Sequence, residues 1–299
     1  MDLVALQIFK TVAEEGGITR AAARLHRVQS NVTTRVKQLE AQLGTALFLR
    51  QNRRLILSPE GKRLLAYADR LLRLSSEAEA ALHDGVPRGL LRIGTLESTA
   101  ATRLPPVLSR FHLAYPEVRI ELVTGTDRVL RARVVNFEVE AAFVAGPVVA
   151  KNLESQPAFT EELVLIAPKS FSRIRTPLDI GRTTVIAFGA GCSYRRCLEH
   201  WLAGAGVVPE RVMEFSSYHA IVACVASGAG IAMVPRSVLR AVTLGNEVSA
   251  NPLPSRVATA RTVLAWRKGH RSIALDALRK KLSPRGQAPD PQKARGAPR

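Results

Sequence analysis

The strongest constraint lies in residues 29–44, QSNVTTRVKQLEAQLG. At 100° per residue, Val32, Val36, Leu39 and Leu43 fall within one narrow arc, with Ser30, Thr33, Thr34, Lys37 and Gln38 on the opposite side. Such a helix buries one stripe and leaves a polar, basic face in solvent. Two shorter helical stretches precede it. In residues 3–14, Leu3, Leu6, Phe9, Lys10 and Ala13 recur at helical spacing and stop at Gly16-Gly17. Then comes ITRAAARLH, whose Ala21, Ala22 and Ala23 permit a close helix crossing, with a break near Arg27-Val28. Two short helices joined by a tight turn, the second polar on its outer side, match a helix-turn-helix.

Downstream, Ala46-Leu47-Phe48-Leu49 and Leu55-Ile56-Leu57 flank Arg50-Gln51-Asn52-Arg53-Arg54, which predicts a β-hairpin with a basic tip. Ser58-Pro59-Glu60 reads as a helix start: a capping hydroxyl, a proline in the first turn and an acid at the positive end of the dipole. That helix is expected to run to about His83. Its Leu64, Ala68, Leu71, Ser75, Ala78 and Leu82 alternate spacings of four and three, a heptad seam that predicts pairing with a second copy. A Gly85-Val-Pro-Arg-Gly89 hinge follows. Beyond it, strands are expected at 90–95, 119–123, 141–145, 163–167, 184–188, 212–215, 231–234 and 262–266, mostly with helices between them. The pattern argues for α/β with mostly parallel sheets. A loose echo between residues near Pro116 and Pro209 suggests two similar subdomains with a cleft between them.

The net charge of +18 favours a polyanionic partner, and its placement sharpens this. Residues 1–75 hold thirteen Lys/Arg against six Asp/Glu. The start lacks the features of a signal peptide and no apolar run approaches a membrane span, so a cytoplasmic location, without membrane contact, is expected. Cys192, Cys197 and Cys224 suit neither a disulfide framework nor a zinc site. His200 and His219 lack the partners of a triad, and no nucleophile elbow or phosphate loop is present, so neither catalysis nor a cofactor is expected.

The N-terminal run FKTVAEEGGITRAAARLHRVQSNVTTRVKQLEAQLGTALFLRQNRRLILSPEGKRLL resembles the LysR-type transcriptional regulators. LRIGTLESTAATRLPPVLSRFHLAYPEVRIELVTG, GCSYRRCLEHWL and VASGAGIAMVP are similar, in order and spacing, to that family's effector domain. The resemblance covers about residues 1–282. It implies a winged helix-turn-helix (1–58), a linker helix and hinge (59–88), and a periplasmic-binding-protein-like effector domain (89–282). The last would comprise two α/β subdomains, 89–162 with 266–282 and 163–265, before a disordered basic tail (283–299). It further implies a homodimer or homotetramer on promoter DNA, controlled by a small molecule, with RNA polymerase as a further partner. Gly17, Val28, Ser30, Thr34 and Glu140 depart from residues common in the family, so the preferred operator is expected to be the chain's own.

For DNA, the expected contacts are Gln29, Ser30, Asn31, Thr33, Thr34, Arg35 and Lys37 on the recognition helix and Arg50, Arg53 and Arg54 on the wing. For the effector, four stretches sit between a strand and a helix: Ser98-Thr99, Gly125-Thr126, Cys192-Ser193 and Ser217-Tyr218. Free backbone N–H groups there suit an anion, although each hydroxyl also fits a plain helix cap. The resemblance places Ser98, Thr99, Thr126 and Ser193 around the cleft; with Cys192 they are the expected contacts, and Arg195 is the expected partner of an acid. The competing readings are a non-specific architectural DNA binder and an enzyme carrying a DNA-binding adaptor.

Overall fold

The computed structural model describes residues 1–51, 54–81, 85–171 and 173–282. Its contacts divide the chain into two compact units, Met1–Gly85 and Val86–Arg299. The first holds α1 (Leu3–Glu15), α2 (Ile18–Arg24), α3 (Gln29–Leu43), β1 (Phe48–Gln51), β2 (Arg54–Leu57) and α4 (Pro59–Ala81). Asp2 caps α1 by accepting the Ala5 N–H at 2.7 Å, and left-handed Gly16 and Gly44 close α1 and α3. Val32, Val36 and Leu39 of α3 are buried as their spacing predicts, whereas Leu43 is exposed. Two apolar clusters result. Ile8, Val12, Ala21, Ala22, Val32 and Val36 form one; Ala5, Leu6, Phe9, Leu39, Leu47 and Ala68 form the other, and Phe48 touches both.

The hairpin pairs antiparallel, Phe48 with Leu57 and Gln51 with Arg54. Glu40 fastens it to α3: one carboxylate oxygen accepts the N–H groups of Leu47 at 2.7 Å and Phe48 at 3.2 Å. Glu40→Ala is expected to lower the stability of this unit by about 1–3 kcal/mol, the cost of stranding such donors. Thermal unfolding checks it; an unchanged midpoint would mean that water replaces the carboxylate. Ser58 starts α4 as expected, accepting the Gly61 N–H at 2.9 Å while donating to Ala46 O at 2.7 Å. Gly61 is required because a Cβ there would lie 2.1 Å from Leu47 O.

The heptad seam needs correction. Ala68 is fully buried, and with Leu64, Leu65 and Leu72 it packs into the unit's own core. The outward row is instead Tyr67 (59% exposed), Leu71 (38%) and Leu74 (61%). α4 has an apolar face wide enough for two stripes, and periodicity alone does not say which one stays inside. Leu82 lies outside the described residues.

The second unit runs β3 (Gly89–Thr95), α5 (Glu97–Thr102), α6 (Leu104–Ala114), β4 (Val118–Thr124), α7 (Asp127–Val135), β5 (Ala141–Ala145) and β6 (Leu153–Pro168). After a short 3₁₀ turn come β7 (Thr184–Phe188), α8 (Ser193–Ala203), β8 (Arg211–Phe215), α9 (Tyr218–Ala226), β9 (Ala232–Pro235) and α10 (Arg236–Ala241). A second 3₁₀ turn leads to β10 (Val248–Pro252), α11 (Ser255–Ala258), β11 (Thr259–Arg267) and α12 (Ile273–Leu282). The strand order is β10-β6-β11-β5-β3-β4, with β9 also on β6 and β7-β8 as a separate pair.

The expectation of mostly parallel sheets fails. β3 pairs β4 and β5 in parallel and β7 pairs β8 in parallel, but β6 and β11 run antiparallel to every strand they pair. These long strands carry the chain between two lobes. Up to Glu162, β6 pairs with β11; from Leu163 it pairs with β9, and from Val164 with β10 as well. One lobe contains Leu91, Ile93, Phe111, Phe143, Leu264 and Trp266 on one sheet face and Leu130, Val144, Val263 and Ala265 on the other. The second has its own core around Leu165, Val185, Leu198, Trp201 and Val222. Because Val263, Leu264 and Ala265 sit in the first lobe's cores, the return crossing comes earlier than the expected residue 266. β10 was not anticipated.

Candidate functional site

On α3, Gln29, Ser30, Asn31, Thr34, Arg35, Lys37 and Gln38 are exposed, with Ser30, Thr34, Lys37 and Gln38 opposite the buried stripe. Thr33 is half-buried, and its hydroxyl donates to Gln29 O at 2.9 Å, so that group is spent on the helix backbone. Arg50 is exposed on β1. Arg53 and the side chain of Arg54 lie outside the described residues. The face thus presents amide, hydroxyl and cationic groups on a rigid helix, the set that reads base edges and phosphates.

The second unit carries a cavity of about 250 Å³ lined by residues of all four strand-to-helix turns. Leu96, Glu97 and Ser98 come from the end of β3, and Thr124, Gly125 and Thr126 from the end of β4. Phe188, Cys192, Ser193 and Tyr194 follow β7, and Ser216 and Tyr218 follow β8. The first two turns belong to one lobe and the last two to the other. Parallel strands deliver their following turns to the same end, which is why these pairs meet there. A hydroxyl contact crosses between the lobes, Ser98 Oγ to Tyr194 Oη at 3.4 Å. Neither Thr126 nor Ser217 caps its helix through its side chain, so the capping role proposed for them is not the one they play.

Among the expected contacts, Ser98, Thr126, Cys192 and Ser193 line the cavity, while Thr99 is buried and outside its lining. Arg195 is not the partner foreseen for an acid. Its guanidinium donates to Glu199 at 2.7 Å, to Glu214 at 2.5 Å and to the backbone oxygen of the lining residue Phe188 at 3.3 Å, and Arg195 itself is not among the lining residues. The Glu199 pairing is an i,i+4 spacing that is legible in the sequence. No Lys, Arg or His is among the lining residues; the ionisable side chains there that sequence reasoning missed are Glu97, the one carboxyl of the lining, and the phenols of Tyr194 and Tyr218. Burial pushes its carboxyl up, opposed by the Tyr218 backbone N–H and the charge of His219. Burial also raises Tyr194 to about 12 and lifts the Cys192 thiol, which keeps that sulfur protonated and poorly nucleophilic. A more open cleft of about 830 Å³, with Arg131, Arg196, Arg256 and His200 in its walls, shares Ser193 with the cavity. Arg131 is held there by Asp127 at 2.9 Å.

No helix among the described residues is long and apolar enough to cross a membrane. Residues 3–62 match the family described as "Bacterial regulatory helix-turn-helix protein, lysR family", and residues 84–286 match "LysR substrate binding domain". The chain is 40% identical over 264 residues to the uncharacterized HTH-type transcriptional regulator YusT of Bacillus subtilis (strain 168), covering 88% of each protein. It is 37% identical over 270 residues to the HTH-type transcriptional regulator GltR of the same organism, covering 90% of this chain and 91% of that one. Its fold is similar to full-length CbnR in complex with its target DNA, with a TM-score of 0.70, 23% identity and coverage of 94% and 99%. With both halves matched in order, this chain belongs to the LysR family of transcriptional regulators, with an N-terminal helix-turn-helix and a C-terminal effector-binding domain.

Proposed function

We propose that α3 enters the major groove of promoter DNA and reads it with Gln29, Ser30, Asn31, Thr34, Arg35 and Lys37, while the wing sets Arg50, Arg53 and Arg54 against phosphates or the minor groove. The observation that carries this is the division of α3 into a buried apolar stripe and a solvent face bearing those residues. The exposed row Tyr67, Leu71 and Leu74 supports a homodimer, and a two-fold dimer reads an interrupted inverted repeat. Pairing of two such dimers into a tetramer and contact with RNA polymerase complete the assembly. A small molecule in the cavity touches both lobes, so it shifts the regulator between states only through different affinity for the two. The regulator acts by binding, not turnover, in the cytoplasm.

Operator titrations at several salt concentrations test the DNA reading. Gln29→Ala is expected to weaken operator binding by about 1–3 kcal/mol and relax the preference at one base pair. Lys37→Ala is expected to weaken binding to all sequences and reduce the log–log salt slope by about 1. Unchanged affinity in both variants would rule out this face of α3 as the reader.

A further inference from the structure

We propose that the cavity takes a small primary amine with an apolar or aromatic body, its ammonium group paired with Glu97. The proposal rests on this cavity being the effector site and adds the chemistry of the ligand. Three observations lead to it. Glu97 lines the cavity, and although the Tyr218 backbone N–H acts on its carboxyl, the Oε2 atom is buried and has no hydrogen-bond partner. The lining contains no cationic side chain, and Arg195, on the helix that supplies Ser193 and Tyr194, is already held by two carboxylates. The rest of the wall is largely apolar and aromatic: Leu96, Phe188, Tyr194 and Tyr218, with the Phe188 and Tyr218 rings tilted at 58° and centred 4.6 Å apart.

Each observation disfavours an anion. A carboxylate bound here would sit beside the Glu97 carboxyl, and the cationic side chain acting on Glu97, His219, lies outside the lining. An ammonium group gives the Glu97 carboxyl, turned to the cavity, a charged donor and lies among ring faces that attract cations. Its remaining N–H groups have the hydroxyls of Ser98, Thr126 and Ser193 as acceptors. Burial alone favours the protonated acid at Glu97, and a bound cation restores the carboxylate. The volume equals that of roughly eight liquid waters at ~30 Å³ each, which limits the ligand to about that many non-hydrogen atoms.

The test is calorimetric titration of the full-length protein with three near-isosteric probes: benzylamine, benzyl alcohol and benzoate. The amine is expected to bind at least about tenfold more tightly than the alcohol, and the carboxylate more weakly than either. Glu97→Gln keeps the shape of the side chain and is expected to abolish the preference for the amine over the alcohol. Tightest binding by the carboxylate, or an amine preference that survives in Glu97→Gln, overturns the proposal. Thr126→Trp, which fills the cavity, separates the two levels. If the probe that binds is not the amine but is lost in Thr126→Trp, the cavity remains the effector site for another chemistry. If no probe binds, or binding is untouched by Thr126→Trp, both readings fall. The wild-type comparison stands without any variant, and the thermal midpoints of the variants show that they are folded.

Discussion

Phe9→Ala is expected to destabilise the N-terminal unit strongly while leaving the unfolding of the effector domain in place. Phe9 is fully buried in α1, belongs to one apolar cluster of the unit and packs against Phe48, which touches both, with ring centroids 5.4 Å apart and the rings tilted at 56°. Emptying a site of this kind costs about 3–5 kcal/mol, because the surroundings relax only partly into the cavity. For the 85 residues of this unit, total stability is of the order of 4–13 kcal/mol, so the loss is a large share of it. A shift of about 4–8 °C per kcal/mol then lowers the midpoint by more than roughly 10 °C. Calorimetry of the full chain should show one transition moving down and the other holding, with operator binding lost near the lower midpoint. Equal movement of both transitions would show that the two units unfold as one.

The contrast between the two halves explains how much of this molecule was legible. The helix-turn-helix could be read because its information is local: a 3.6-residue period, Gly16 and Gly44 at helix ends, and Ser58 before a proline. The four strand-to-helix turns could be named for the same reason. Their convergence on one cavity was implied only by the family resemblance, because strand order and direction have no local signature. β6 and β11 illustrate this. Their apolar runs predict strands, but nothing in a period of two tells an antiparallel return from a parallel crossover. Two stripes on α4 could not be separated into inner and outer without α1 in place. Glu97 was invisible for a different reason. An acid in the first turn of a helix is ordinary electrostatics, and only the walls around it make its unpartnered oxygen informative. Arg195 was misjudged because Glu214, on β8, is distant in sequence, although Glu199 was one helical turn away.

The second large effect is expected at the crossing between the lobes, where Arg103→Met should destabilise the effector domain by about 3 kcal/mol. Glu161 is 2% exposed on β6, two residues before that strand meets β9. Its carboxylate accepts both Nε and Nη2 of Arg103, at 2.6 and 2.9 Å, and the Ser237 hydroxyl at 2.8 Å. Arg103 joins α5 to α6 in one lobe, while Ser237 lies on α10 in the other, so the carboxylate ties the two together. Removing Arg103 leaves a buried charge with a single hydroxyl, and the penalty is desolvation without compensation. The expected value sits low in the usual range because the Arg103 side chain is 38% exposed, which admits some water. The diagnostic result is the double variant. Arg103→Met with Glu161→Leu removes both charges and should be more stable than Arg103→Met alone, because a buried pair costs nearly as much to desolvate as it returns. Chemical denaturation of the four members of the cycle measures this. A double variant no more stable than Arg103→Met alone would show that the carboxylate left behind carries no desolvation penalty, and one far less stable than the wild type would show that the pair contributes net stability.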